Sequence, residues 1–411
     1  MTESTANLSA DSALQMQVLS AIADIPAEQW NALHASKNPF IQHQFLNALE
    51  RHGCVSERYG WIPKHLLFHQ GEELVAAMVL YEKHNNYGEF VFDHAWQQAW
   101  DSVGLNYYPK LVSAAPYTPA SGPRILLAGS LTADPKQAQQ VYAEIVENLQ
   151  NFATENGYSG AHILFSDEQQ QLAQQSEVIL RHDVQFQWFN QNYRSFDDFL
   201  ATLKPKKRKN ISQERRKLAE HDITFRVMSG TEASEQDWQD FDFFYQKTFL
   251  EKWSTPTLNL AFFQEIAQTM PEHIVLVMAQ RDGKNIAGAL MFRSNNVLYG
   301  RHWGCAEQVK HLHFEACFYQ GIEYAIQHGL QRFEPGAGGE HKISRGFIPV
   351  PMQSSHWLTV NPFVQGIADF VQQEQQMIGD YMQEIWQASP YRENEKLQQL
   401  VSELKEIQNK T

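Results

Sequence analysis

Residues 274–292 read IVLVMAQRDGKNIAGALMF. Two apolar runs rich in β-branched residues, 274–279 and 286–292, flank Arg281-Asp282-Gly283-Lys284. Asp-Gly between such runs is a hairpin signal, because glycine supplies the positive φ that a tight turn needs. The same grammar occurs earlier, where 61–68 and 74–81 flank Gln70-Gly71-Glu72-Glu73. The segments downstream of the two hairpins also correspond. In the second half, 297–303 continues the sheet, 314–328 is helical and stops at Gly329, and Arg332-Phe333-Glu334 is a short strand. In the first half, Asp134-Pro135 opens a helix that runs to 156 and stops at Gly157, and 161–165 is a short buried strand. Leu74 and Ile286 lie 212 residues apart and the two glycines 172 apart; the 40-residue difference matches an extra aromatic stretch, 85–123. Such self-similarity predicts two related α/β domains.

The joint falls at 190–222. Ser195-x-x-Asp198 reads as a capping box opening one helix, and Pro205 breaks into a second that ends near 220. The predicted division is a disordered tail, 1–12; a first domain, 13–190, with the insertion 85–123; a second domain, 191–385, with a basic helical segment, 204–220; and a C-terminal amphipathic helix, 386–411. In that last helix Leu397, Leu400, Val401, Leu404 and Ile407 recur at three/four spacing, which suits packing or self-association.

Composition bounds the function. Across 411 residues, 43% are apolar and 19% charged, a globular balance in a chain long enough for two cores. A net charge of −14 argues against a general nucleic-acid coat or a membrane-surface binder unless basic charge is concentrated somewhere. No run reaches the roughly 18 apolar residues of a spanning helix. The first 15 residues carry no Lys or Arg and no apolar core of a secretory signal, so the expected setting is the cytoplasm. Three cysteines, Cys54, Cys305 and Cys317, form no CxxC and no zinc spacing, which argues against a disulfide framework. His302, His311, His313 and Glu315 are close in sequence, but no further ligand stands at a diagnostic spacing, and no metal is expected.

Charge is concentrated in one place. Lys204, Lys206, Lys207, Arg208, Lys209, Arg215, Arg216 and Lys217 fall within 14 residues, opposed only by Glu214. The stretch is net +7 and the remainder of the chain −21. Such a block either faces a polyphosphate or RNA backbone, with Lys206, Lys207, Arg208, Arg215 and Arg216 as its contacts, or is a solvated face matched to the acidic surface.

A second chemical stretch is Glu334-Pro335-Gly336-Ala337-Gly338-Gly339-Glu340-His341-Lys342, after a short strand. Three glycines in four residues let backbone amides approach an anion. Glu340 or His341 can carry a proton near neutral pH, and Lys342 and Arg345 can hold negative charge. The competing reading is a tight turn with a surface salt bridge. Arg301-His302-Trp303-Gly304-Cys305-Ala306 fits the loose Arg/Gln-x-x-Gly-x-Gly/Ala loop with which acyl-CoA-dependent transferases bind pyrophosphate.

Several stretches together resemble a known family: Tyr87-Gly88-Glu89-Phe90-Val91-Phe92-Asp93, Tyr107-Tyr108-Pro109-Lys110-Leu111, Pro116-Tyr117-Thr118-Pro119, Phe249-x-x-Lys252-Trp253, and 335–342 continuing to Arg345-Gly346-Phe347. In this order, through most of residues 20–385, they resemble the FemAB-like N-acyltransferases of the GNAT superfamily, relatives of the peptidyl transferases that build peptidoglycan bridges. The resemblance implies two tandem GNAT-like domains, each a mixed sheet flanked by helices, and acyl or aminoacyl transfer to an amine, such as that of a cell-wall peptide precursor. It implies acyl-CoA or aminoacyl-tRNA as donor, with tRNA as a partner. The expected site lies between the domains. Glu340 or His341 acts as base there. Tyr108, Lys110, Lys252, Trp253, Arg301, His302, Trp303, Gly336, Gly338, Gly339, Lys342 and Arg345 bind substrate or line the cleft. The alternative is a non-catalytic module that recognises a cell-wall precursor or an anionic glycan.

Overall fold

The computed structural model describes residues 14–359, 362–392, 398–402 and 404. The predicted tail, 1–12, lies outside them, as does most of the predicted C-terminal helix. Of that helix, 398–402 is helical, Leu404 is buried, and Leu400 and Val401 pack on the core of the second half.

The two predicted hairpins are present. His65–Gln70 pairs antiparallel with Glu73–Met78, and Ile274–Arg281 with Lys284–Arg293. Each half then builds a strand, a helix and a second strand parallel to the first. The first half has Lys110–Ser113, the helix Pro135–Glu155 and Gly160–Ile163. The second has Val297–Cys305, a helix spanning 312–327 and Arg332–Glu334. The predicted termini hold: Asp134 caps its helix by accepting from the Lys136 amide at 2.9 Å, and Ser195 caps Phe196–Thr202 by accepting from the Asp198 amide. The 312–327 helix carries one feature that periodicity does not announce, a π-turn at Glu315–Tyr319.

Two long strands, Ile179–Phe189 and Ile348–Leu358, join the halves. They pair with each other through nine registered positions, from Ile348 opposite Gln187 to His356 opposite Ile179. Ile348–Leu358, from the second half, also pairs with Gly160–Ile163 of the first. Reciprocally, Ile179–Phe189, from the first half, pairs with Arg332–Glu334 of the second. This crosswise exchange fuses the mixed sheets into one of eleven strands; a four-stranded antiparallel sheet made by Gln15–Leu19, His65–Gln70, Glu73–Met78 and Ile125–Leu127 stands beside it. The result is the expected duplicated, mixed α/β architecture.

Apolar burial ties the halves further. Phe40 rests on Phe292 and Tyr299 at 5.2 and 5.1 Å between ring centroids, and Phe45 on Phe262 at 5.7 Å, in edge-on or tilted geometries that aromatic quadrupoles favour. The first half lends these rings from Pro39–Ile41 and the helix His43–Arg51. The second half receives them on Lys284–Arg293, on Val297–Cys305 and on the helix Leu260–Thr269.

Candidate active site

Val297–Cys305 and Arg332–Glu334 pair only from Val297 to Tyr299. Beyond Tyr299 the two chains part. Gly300–Trp303 forms one wall of the gap and 335–342 the other, enclosing a cavity of about 170 Å³. The helix 312–327 closes a third side with His313, Cys317 and Phe318. The glycine-rich wall needs its glycines: φ is 90° at Gly336, 65° at Gly338 and 89° at Gly339, and a Cβ at Gly339 would stand 2.5 Å from the His341 ring. The amides of residues 336–339 donate to no group among the described residues; of the four, Ala337 lines the cavity, whereas the predicted Gly338 and Gly339 do not.

Two cations enter this cavity without a carboxylate. Lys342 is 4% exposed, and its ammonium donates to the Gly336 and Ala337 carbonyls at 2.6 and 3.1 Å. Burial, with the Arg301 charge nearby, holds its pKa down to about 8. Arg301 donates to the Tyr117 carbonyl, lies 6.0 Å from the Phe90 ring, and keeps a buried Nε with no acceptor among the described residues. Burial lowers its pKa to about 10. No acid forms an ion pair with either group among the described residues. Both Phe90 and Tyr117 come from the 85–123 insertion, so the first half contacts Arg301 while the second builds the cavity lining.

The other cavity groups are imidazoles biased towards neutrality. Burial, then His341, lowers the His313 pKa to about 4, and burial, then Arg301, puts His302 well below its ordinary value. His341 is lowered by burial, then by Lys342 and Arg345, while its ring stays accessible beside Phe314 and Phe318 at 5.8 and 5.6 Å. Cys317 is pushed up by burial and is a poor nucleophile. The geometry therefore offers a neutral proton acceptor and two unpaired cations around one small space, with unbonded amides in the adjoining glycine-rich turn.

The sequence matches the FemAB-like family, described as acting in peptidoglycan biosynthesis and recognition, over residues 21–393. The chain belongs to that family. Two solved structures share its fold. FemX superposes with a TM-score of 0.52 at 11% identity, covering 84% of this chain and 98% of FemX. The C-terminal domain of an Agrobacterium fabrum protein described as a lysylphosphatidylglycerol synthetase gives 0.50 at 10% identity, covering 87% and 98%. No curated protein matches the chain.

Set on this FemAB-like fold, the predicted site residues separate. Arg301, His302, Trp303, His341 and Lys342 line the cavity, with Gly336 at its edge. Glu340 does not line it; its carboxylate is exposed and accepts from the Tyr381 hydroxyl at 2.9 Å. Arg345 is not open to substrate: it donates to Glu214 at 2.9 and 3.0 Å and to the His341 carbonyl at 2.8 Å. Lys110 and Tyr108 lie elsewhere, on or beside a strand that four others separate from Val297–Cys305. There Lys110 is buried against Glu89, at 2.8 Å, and Asp93. Lys252 stays exposed near His313, and Trp253 is 98% exposed at φ 53°.

The pyrophosphate-loop reading of 301–306 does not hold. Residues 301–305 are strand, with His302–Cys305 registered against Ala287–Leu290 and Arg301 at a register shift, and the Ala306 amide donates to the Ile286 carbonyl. Gly304 is there for packing, since a Cβ would meet the Phe244 carbonyl at 2.1 Å. Phe90 and Tyr117 meet Arg301 from outside the lining, and His313, Cys317 and Phe318 are cavity residues that sequence reasoning does not assign to a substrate site. Its spacing marks His313 only as a metal candidate, and no metal-holding cluster exists among the described residues.

The basic helix is Pro205–Ala219. Lys206, Arg208, Lys209, Arg216 and Lys217 are exposed, Lys207 is half-buried, and none of the six has an ion-pair partner among the described residues. Arg215 does: it binds Glu315 and Glu323 at 2.8 to 3.1 Å, so its charge is neutralised inside the protein. No described helix is long and apolar enough to cross a membrane.

Proposed function

We propose that the protein is an N-acyltransferase that moves an aminoacyl group from a tRNA ester to the amine of a peptidoglycan-type peptide precursor, in the cavity between Val297–Cys305 and 335–342. The observation that carries this reading is the pair of buried cations, Arg301 and Lys342, facing that cavity without a carboxylate. Burying charge unpaired is costly, and an incoming anion or a developing oxyanion removes the cost.

The residues suit amide formation. The neutral His341 imidazole accepts a proton from the attacking amine, whose lone pair forms the new C–N bond at the acyl carbonyl. Lys342, Arg301 and the unbonded Ala337 amide stabilise the oxyanion. Collapse breaks the C–O bond to the donor, and the departing ribose oxygen takes the proton. Two features favour a tRNA ester over acyl-CoA: the pyrophosphate loop is absent from 301–306, and six unpaired cations on the basic helix lie next to the segment that carries Lys342.

Incubating the protein with charged tRNA and a cell-wall peptide precursor, followed by mass spectrometry, tests the reading. An acceptor heavier by one aminoacyl residue is expected, absent with Arg301→Ala. Acylation from acyl-CoA with no tRNA requirement would replace the donor assignment. No product from either donor, with precursor binding intact, would favour the recognition module.

A further inference from the structure

Glu214 is the sole acidic side chain on Pro205–Ala219. It is also one of the points where that helix grips the cavity wall. Its carboxylate accepts from Nη2 of Arg345 at both oxygens, at 2.9 and 3.0 Å, and from the hydroxyl of Tyr319. Arg345 is 5% exposed, donates to the backbone carbonyl of His341 at 2.8 Å, and lies 3.4 Å from the Phe314 ring centroid. Phe314 in turn stands 5.8 Å from the His341 ring. Tyr319 ends the π-turn that places Cys317 in the cavity. The next residue of the helix, Arg215, clasps Glu315 at the start of the same turn. Adjacent, oppositely charged residues of one helix thus hold both the loop that bears His341 and Lys342 and the π-turn facing it. π-turns are inserted residues that recur at functional sites and have an alternative, regular geometry.

We propose that Glu214 is a positioning residue that couples the basic helix to the active cavity, so that an anion seated on the helix acts on His341 and Lys342 through the Glu214–Arg345 clasp. This inference rests on the reading of that cavity as the active site. A polyanion drawing on Lys217 and Arg216 shifts the helix that carries Glu214, and Arg345 transmits the shift to the His341 backbone. Without Glu214 the Arg345 charge stays buried beside the site and unmatched.

The test reads His341 by the NMR pH titration of its ring protons, assigned with His341→Ala. It reads the cavity by the affinity for inorganic phosphate, in wild type, Glu214→Gln, Glu214→Asp, Tyr319→Phe and Arg301→Ala. The charges facing His341 are Lys342 and Arg345 on its own segment and His313 on the helix opposite; His311 faces Glu214, Lys217, Lys310 and Arg345. Removing the Glu214 charge leaves Arg345 unshielded, so both histidines titrate at lower pH in Glu214→Gln; the added positive field alone would raise phosphate affinity, so the expected fall of about tenfold reads the loss of the clasp that positions the Lys342 segment. Glu214→Asp restores part of both. Tyr319→Phe keeps every charge and gives a smaller change of the same sign, which preserves the test should Glu214→Gln not fold. Identical His341 titration in wild type, Glu214→Gln and Tyr319→Phe overturns the coupling. Unchanged phosphate affinity in Arg301→Ala instead overturns the cavity reading, and the ligand-free titration still decides the coupling.

Discussion

Lys110 and Lys342 are both buried lysines, one in each half of a duplicated fold, and their partners drive them to opposite ends. Burial alone pulls the Lys110 pKa down, but Glu89 and Asp93 outweigh it and raise it. Lys342 has no ion-pairing acid among the described residues, and its pKa falls to about 8. The surroundings differ in the same sense. In the first half the gap beyond Ser113 and Ile163 is filled by Arg124, whose guanidinium donates to the Ala120, Gly122, Pro123 and Leu164 carbonyls at 2.8 to 3.1 Å. In the second half the corresponding gap is the cavity, and Arg301 has a single carbonyl partner. One topology thus serves twice: once as a closed polar core that holds the insertion in place, and once as an open site. A buried cation reports function when its partner is missing, not when it is merely buried.

The largest expected effect breaks the closed half. Lys110→Met leaves Glu89 and Asp93 buried without their ion-pair partner and is expected to destabilise the protein by about 3 to 5 kcal/mol, read by denaturant titration. Arg301→Met, at the other half, removes a cation that no acid awaits, so stability should change by less than about 1 kcal/mol. Equal losses in the two variants would erase the distinction.

Activity should show the reverse ranking. Lys342→Ala and Arg301→Ala are each expected to reduce the transfer rate by about 10²- to 10³-fold, the usual cost of an oxyanion donor, with little change in melting temperature. Glu340→Gln is expected to keep near-normal turnover, because its carboxylate faces Tyr381 and solvent. A dead Glu340→Gln would return the base assignment to that residue.

These contrasts also show what could be read beforehand. Hairpins, helix stops and the duplication were legible because they depend on neighbours in sequence: the Gln70-Gly71 and Asp282-Gly283 turns, the Asp134 cap, glycines at 157 and 329. The Gly-Gly-Glu-His-Lys segment was legible for the same reason, since positive φ calls for glycine. The strand exchange was not. Ile348–Leu358 carries Pro349 and Pro351, which demote a strand on inspection. They are tolerated because that stretch is paired only with Ile179–Phe189, while Gly160–Ile163 joins from Ser355 onward. Nor could sequence divide the cations. Whether Lys110, Arg215 or Arg345 is free depends on Glu89, Glu315 and Glu214; the last two are 100 and 131 residues from their partners.

A smaller effect concerns the helix between the halves. Replacing Lys206, Lys207 and Arg208 by Ala together should weaken tRNA binding, and the slope of log affinity against log salt should become shallower by about 2 to 3. Arg215→Ala should leave that slope nearly unchanged, because its charge already meets Glu315 and Glu323. A slope that responds equally to Arg215 would mean that this residue leaves its internal partners when RNA binds.

The smallest effect is the shape of the pH profile, and it returns to the two lysines. His341 titrates below its ordinary value, so transfer should rise with pH until the imidazole is neutral and then level off. Lys342 loses its proton near pH 8, and if its charge stabilises the oxyanion, transfer declines from there by up to tenfold per pH unit. Lys342→Arg keeps a cation at high pH. It should therefore remove the alkaline limb while leaving the acid limb in place, whatever it costs in absolute rate through altered geometry. Lys110 has no part in this, because its acids keep it charged throughout the range. An alkaline limb that survives Lys342→Arg would assign that proton to the incoming amine or to another group, and would reduce Lys342 to a support for the glycine turn.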